Sequence, residues 1–144
     1  MSNADMDMEL ASGLAAFEAK HFDKAFMLLS PLANDGNAEC QYRLAIMYQN
    51  GLGCAVNEKA ALEWMQKAAE QNHPFAQHGI GFMYMQGECV EKDEAAAMTW
   101  FKKAAEQGLP GSQMTIGMMY EQGLGVEQDE QEAKRWYAMA EQAQ

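Results

Sequence analysis

The feature that most constrains this chain is a period. Displaced by 36 residues, the sequence falls on itself: Gln41, Gln77 and Gln113 coincide, as do Tyr48, Tyr84 and Tyr120. So do Gly51, Gly87 and Gly123, then Ala61, Ala97 and Ala133. Every tryptophan, Trp64, Trp100 and Trp136, occupies one phase of the repeat. A fixed period of this size marks stacked supersecondary units, each burying its apolar face against the next. Both halves of the unit have helical spacing. Gln41, Leu44, Ala45 and Tyr48 stand at i, i+3, i+4 and i+7, one face of a helix, and Ala61, Trp64, Met65 and Ala68 repeat the pattern.

Breakers separate the halves. Gly51-Leu52-Gly53 and Gly123-Leu124-Gly125 read as loops, and Asn57, Asp93 and Asp129 stand just before the second helical run. An Asx side chain there accepts a hydrogen bond from a free N–H of the first turn. Glu58, Glu94 and Glu130 follow and place negative charge on the positive end of the helix dipole. Asp129 and Glu132 have the spacing of a capping box. Gly36, Asn72 and Gly108 share the phase where a helix wants a left-handed residue after its end. Pro74 and Pro110 follow two residues on, in the first turn of the next helix, where a missing N–H costs nothing. The unit reads as helix, loop, helix, tight turn.

These residues resemble the Sel-1-like repeat, a relative of the tetratricopeptide repeat. The resemblance runs through Ala76, Gln77, Ile80, Gly81, Tyr84, Gly87, Asp93, Ala97, Trp100 and the run from Lys103 to Gly108. The third copy adds Gly123, Gly125, Val126, Asp129 and Trp136. Departures are local: Cys89 replaces the second loop glycine, and Met139-Ala140-Glu141 replaces Lys-Ala-Ala. The resemblance implies an all-α fold, a right-handed superhelical solenoid of stacked antiparallel helix pairs. It implies a non-catalytic scaffold that binds a peptide or partner protein. Some cysteine-rich relatives have been linked to β-lactam binding or hydrolysis, which makes a small-molecule or enzymatic role the alternative.

The expected organisation is a single solenoid over 9–143: a short capping repeat at 9–36, then full repeats at 37–72, 73–108 and 109–144, eight helices in all. Residues 1–8 read as a tag remnant or disordered start, Ser2-Asn3-Ala4 in particular. In the capping repeat Phe17, Ala19, Phe22 and Ala25 match the family's short-loop opening unit, with Lys20-His21 in place of the glycine loop. Ser30-Pro31 is expected to kink or shorten its second helix. At the other end Lys134 stands where Leu62 and Met98 stand, and Glu141 where Ala69 and Ala105 stand. Those swaps predict a water-facing polar cap.

Chemistry is sparse. A net charge of −11 argues against nucleic acid, whose affinity rests on Lys and Arg, and a basic or neutral protein partner is easier to accommodate. Residues 1–8 hold no long apolar run, so neither a signal peptide nor membrane insertion is expected. Cys40, Cys54 and Cys89 are odd in number and irregular in spacing, unlike the regular cysteine pairs of some exported relatives. Reduced thiols and a cytoplasmic setting are expected, or a periplasmic or secreted one if a native leader was trimmed. His21, His73 and His78 have no metal-ligand spacing, the Gly-Leu-Gly pieces follow helices and lack a phosphate-binding lysine, and no serine sits in a nucleophile elbow. No cofactor, no metal and no catalytic residue is expected, and the chain is expected to be a monomer.

Helix arithmetic locates the binding surface. At 100° per residue, a second stripe on each first helix lies about 130° from the core face. In the first full repeat it comprises Glu39, Tyr42, Ile46, Gln49 and Asn50. In the second it comprises Phe75, His78, Phe82, Met85 and Gln86, and in the third Gly111, Met114, Met118, Glu121 and Gln122. By the resemblance, these positions line a concave groove that holds peptides. The alternative is that curvature buries them against the next repeat. A third stripe, Cys40, Met47, Ala76, Met83 and Met119, reads as packing between repeats, and the tryptophans read as core.

Overall fold

The structure is a computed structural model that describes residues 2–143. It contains, among the described residues, eight helices and no strand: α1 (Asn3–Glu18), α2 (Phe22–Asn34), α3 (Ala38–Asn50), α4 (Glu58–Glu70), α5 (Pro74–Gln86), α6 (Glu94–Glu106), α7 (Pro110–Gln122) and α8 (Glu130–Ala143). Consecutive helices pack as α1 with α2, α3 with α4, α5 with α6 and α7 with α8. Short connections make each pair a helical hairpin. The all-α repeat architecture is the one the period predicts. The chain divides into two compact units, Met1–Gln71 and Asn72–Gln144. The cut falls at a repeat boundary, the natural place in an array whose units contact only their neighbours.

The punctuation forms as the residues require. Gly51, Gly87 and Gly123 end α3, α5 and α7 in left-handed conformation, with φ of 68°, 68° and 70°. Asn57 and Asp93 cap α4 and α6 through Ala60 N and Ala96 N, each at 3.0 Å. The same capping residues, with Asp129, donate their own N–H to the carbonyls of Tyr48, Tyr84 and Tyr120 at 2.9 Å. Each loop is thus closed onto the last turn of the helix it leaves. The capping box at Asp129 is only half formed. Its carboxylate accepts from Glu132 N at 3.1 Å, but the Glu132 side chain turns to Arg135 at 2.8 Å because Asp129 N is already committed to Tyr120.

In the first unit the chain departs from expectation twice. Helix α1 begins at Asn3, inside the segment read as a tag remnant or disordered start (Met1 lies outside the described residues). Ser2 Oγ accepts from Asp5 N at 3.1 Å, and Met6, Leu10 and Leu14 pack on a core of Ala16, Ala25, Leu29, Leu32, Cys40, Leu44 and Met47. A capped apolar stripe is reason enough for the helix. Second, Pro31, expected to kink or shorten α2, does not shorten it: the helix runs on to Asn34. The carbonyl deprived of its donor is that of Met27, a residue 67% exposed, so water can replace the bond. Ser30 Oγ donates to Phe26 O at 2.6 Å.

In the second unit the core is Ala97, Met98, Phe101, Ala105, Ile116, Met119 and Trp136. Its largest fully buried side chain is Phe101, and the reason lies opposite. A Cβ on Gly81 of α5 would stand 2.9 Å from Phe101 Cε1, and one on Gly117 of α7 would stand 2.8 Å from the Tyr137 ring. The small residue of each first helix receives the ring of its partner. The tryptophans are core only in part, contrary to the sequence reading. Trp136 is buried, but Trp64 and Trp100 are half-buried and carry Lys67 and Lys103 over their rings at 4.6 and 4.7 Å. A ring that shares one face with a solvated lysine three residues on has to sit at the rim. The third stripe is buried throughout, as expected: Cys40, Met47, Ala76, Met83 and Met119 are at most 1% exposed. Lys134 and Glu141 are exposed, whereas Met98, Ala69 and Ala105 at their phases are buried.

Candidate functional site

The second stripe of the first helices lies at the surface of both units. In the second unit it is apolar. Phe75 is 53% exposed, Phe82 42% and Met114 52%, while Gly111, Gln86, Glu121 and Gln122 are exposed beside them. Large apolar side chains left this open on neighbouring helices are the kind of patch that marks an interaction surface. Met85 and Met118 are half-buried and lean on the core cluster, so they support the stripe as much as they present it. In the first unit the stripe is more engaged. Ile46, Tyr42, Glu39 and Gln49 are half-buried and Asn50 is exposed, its amide donating to Ile46 O at 3.0 Å. Glu39 pairs with Arg43 at 3.1 Å, and Arg43 reaches Glu18 at 2.7 Å and lies 4.8 Å over the Phe17 ring. Burial raises the Tyr42 phenol pKa, with Arg43 pulling the other way.

His78 stands apart from the other stripe residues. Its Nδ1 is 2.8 Å from Ser112 Oγ and its ring is 5.1 Å from that of Phe101, so it packs α5 against α7 and α6. Burial lowers its pKa. A histidine on a serine hydroxyl is half of a nucleophilic pair, but Ser112 is fully buried and its hydroxyl is closed to a substrate. The His73 side chain accepts from Ala76 N at 3.1 Å and caps α5. Among the described residues no group of three or more His, Cys, Asp or Glu could hold a metal. Cys40 and Cys54 are thiols outside any disulfide, and burial, with Glu39 adding, pushes Cys40 up to about 12. No described helix is long and apolar enough to cross a membrane.

One polar device was missed at the level of sequence. Gln41, Gln77 and Gln113 are buried at 5%, 2% and 4% exposure, on the core face of α3, α5 and α7. Gln41 donates to Ala33 O and Gln113 to Ala105 O, each at 3.1 Å, answering a carbonyl at the end of the preceding helix. The amide oxygen is met from the repeat's own second helix. Gln71, at the C-cap of α4, donates to Gln41 Oε1 and to Gly36 O, both at 2.8 Å. Gln107, at the C-cap of α6, donates to Gln77 Oε1 at 2.8 Å and to Asn72 O at 3.0 Å. The recurrence of glutamine at 71 and 107 was the available signal. Exposure of both residues disguised it as surface.

The helix pairs, the glycine-closed loops and the repeated glutamine, tyrosine and tryptophan phases together define a known unit. The Sel1 repeat model matches residues 38–73, 74–109 and 110–143. The chain belongs to the Sel1-repeat family. A Sel1 repeat protein from Oxalobacter formigenes superposes with a TM-score of 0.88 at 30% identity, over 94% of this chain and 54% of its own. A protective antigen of uropathogenic Escherichia coli strains with the same repeat fold gives 0.80 at 37% identity, over 81% of this chain and 25% of its own. The cysteine-rich protein B of Helicobacter pylori shares the fold, with a TM-score of 0.63 at 20% identity, over 92% of this chain and 88% of its own. The chain therefore spans about half, or a quarter, of the first two proteins. Sel1 repeats generally serve as scaffolds for protein–protein contacts rather than as catalysts.

Proposed function

We propose that this Sel1-repeat chain is a non-catalytic interaction module that takes an extended peptide of a partner protein on the second stripe of its first helices. The observation that carries the reading is the exposure of Phe82 and Met114 on α5 and α7, in a unit whose other large apolar side chains are buried or half-buried apart from Phe75 and Met139. A peptide crossing both helices would cover one apolar row after the other. Gln86 and Gln122, one helical turn on from Phe82 and Met118, are placed to bond its backbone. The net charge of −11 favours a basic or neutral peptide over an acidic one through long-range attraction.

The test is selection from a displayed peptide library, run in parallel on the parent and on Phe82→Ala with Met114→Ala. Both residues are exposed, so the melting temperature should hardly move, with a stability change within about 0.5 kcal/mol. Peptides enriched by the parent should bind the variant at least about 30-fold more weakly, the effect of losing an anchor worth 2 kcal/mol or more. No enriched sequence, or equal affinity for both proteins, would remove the site from this stripe.

A further inference from the structure

The glutamine device is complete in two repeats and incomplete in the third. Positions 71 and 107 recur at 143, and 143 is alanine. Gln113 Oε1, the acceptor that a glutamine there would meet, is buried with no hydrogen-bond partner among the described residues. The side chain is held in place all the same, its Nε2 donating to Ala105 O at 3.1 Å as Gln41 Nε2 donates to Ala33 O. An orphaned buried acceptor is uncommon and calls for a cause. In the other two repeats the equivalent oxygen is met by Gln71 or Gln107 of the second helix. The third repeat also holds an orphaned donor, Trp136 Nε1, so both helices of its hairpin carry an unmet polar atom.

We propose that Gln113 Oε1 and the Gly108 carbonyl form an open socket for a primary-amide side chain in register with Ala143, and that filling it locks α8 onto α7. The chemistry is specific. A carboxamide NH2 has two donors, and the two filled sockets use both, one on a buried amide oxygen and one on the carbonyl of the left-handed turn residue, Gly36 or Asn72. A carboxylate has no donor and would face two oxygens. An alkyl or thioether chain of the same length would leave Oε1 as it is now. The socket belongs to the third repeat's own hairpin and is independent of the apolar stripe of α5 and α7.

Ala143→Gln tests this in the full chain, with Ala143→Met as a control of equal length and similar helix propensity that lacks donors. Amide hydrogen exchange over α8, read against the control, should slow roughly three- to ten-fold, the effect of one net hydrogen bond on the local opening equilibrium. The side-chain NH2 protons at position 143 should be protected as well. The gain should disappear when Gln113→Met is added. If that background does not fold, the comparison of the two position-143 variants still decides. Equal exchange in the Gln and Met variants, or an unprotected side-chain amide, would overturn the proposal.

Discussion

Phe101→Ala probes how each hairpin is held together, and the structure supplies its magnitude. The ring is 0% exposed and lies against the bare backbone of Gly81, where a methyl carbon would stand 2.9 Å from Cε1. Gly81 has no side chain to refill the space, and the neighbouring His78 ring, 5.1 Å from that of Phe101, is held by its contact with Ser112 Oγ. The loss should therefore fall in the upper part of the 3–5 kcal/mol range for buried rings, about 4 kcal/mol. Gly81→Ala sharpens the test. In the parent it gains roughly 1 kcal/mol of helix propensity but overpacks a ring with nowhere to go, at about 1–3 kcal/mol. The net is a loss of about 1 kcal/mol. In the Phe101→Ala background the added methyl enters emptied space, so the same substitution should stabilise by about 1 kcal/mol. Urea unfolding followed by far-ultraviolet circular dichroism of the four proteins reads both terms. A cost below 1 kcal/mol for Phe101→Ala, or an unchanged sign for Gly81→Ala in the two backgrounds, would refute the ring-on-glycine account.

Trp100→Ala should cost about 2 kcal/mol, roughly half the range for a fully buried ring, because Trp100 is half-buried under Lys103. Thermal denaturation should accordingly rank it well below Phe101→Ala, and equal losses would return the tryptophan phase to the core. His78 makes stability depend on pH. Burial holds its pKa below the ordinary value, so the unfolded chain binds this proton more tightly than the folded one. Its effect is flat above the unfolded value of about 6.5, and stability falls as pH drops from there toward the folded value. Urea midpoints between pH 8 and pH 5 should decline less for His78→Gln than for the parent, and parallel curves would show that His78 is not the group involved.

Most of the architecture was determined by sequence alone, because a period of turn chemistry is local. Gly51, Gly87 and Gly123 stop a helix through their own φ, Asn57 and Asp93 cap through a bond three residues long, and Pro74 starts a helix whatever it packs on. The core face at Gln41, Leu44 and Ala45 followed from 100° per residue and is buried, whereas the second stripe is exposed at Asn50, Phe75, Phe82, Gln86, Met114, Glu121 and Gln122 and half-buried at its other side chains. What periodicity cannot carry is which residue on an apolar face goes deepest, since that is set by the shape of the opposing helix. Phe101 goes deepest because its ring lies against Gly81, where no Cβ stands in the way, while Trp100 at the neighbouring phase stays half-buried under Lys103. His78 shares a phase with Tyr42 and Met114, yet it turns to Ser112, a hydroxyl supplied by the following repeat in place of Cys40 and Ala76. The glutamine contacts were beyond sequence for the same reason. Gln71 and Gln41 are thirty residues apart and meet only because the hairpin between them closes, and only the folded third repeat leaves Gln113 Oε1 buried without a partner among the described residues.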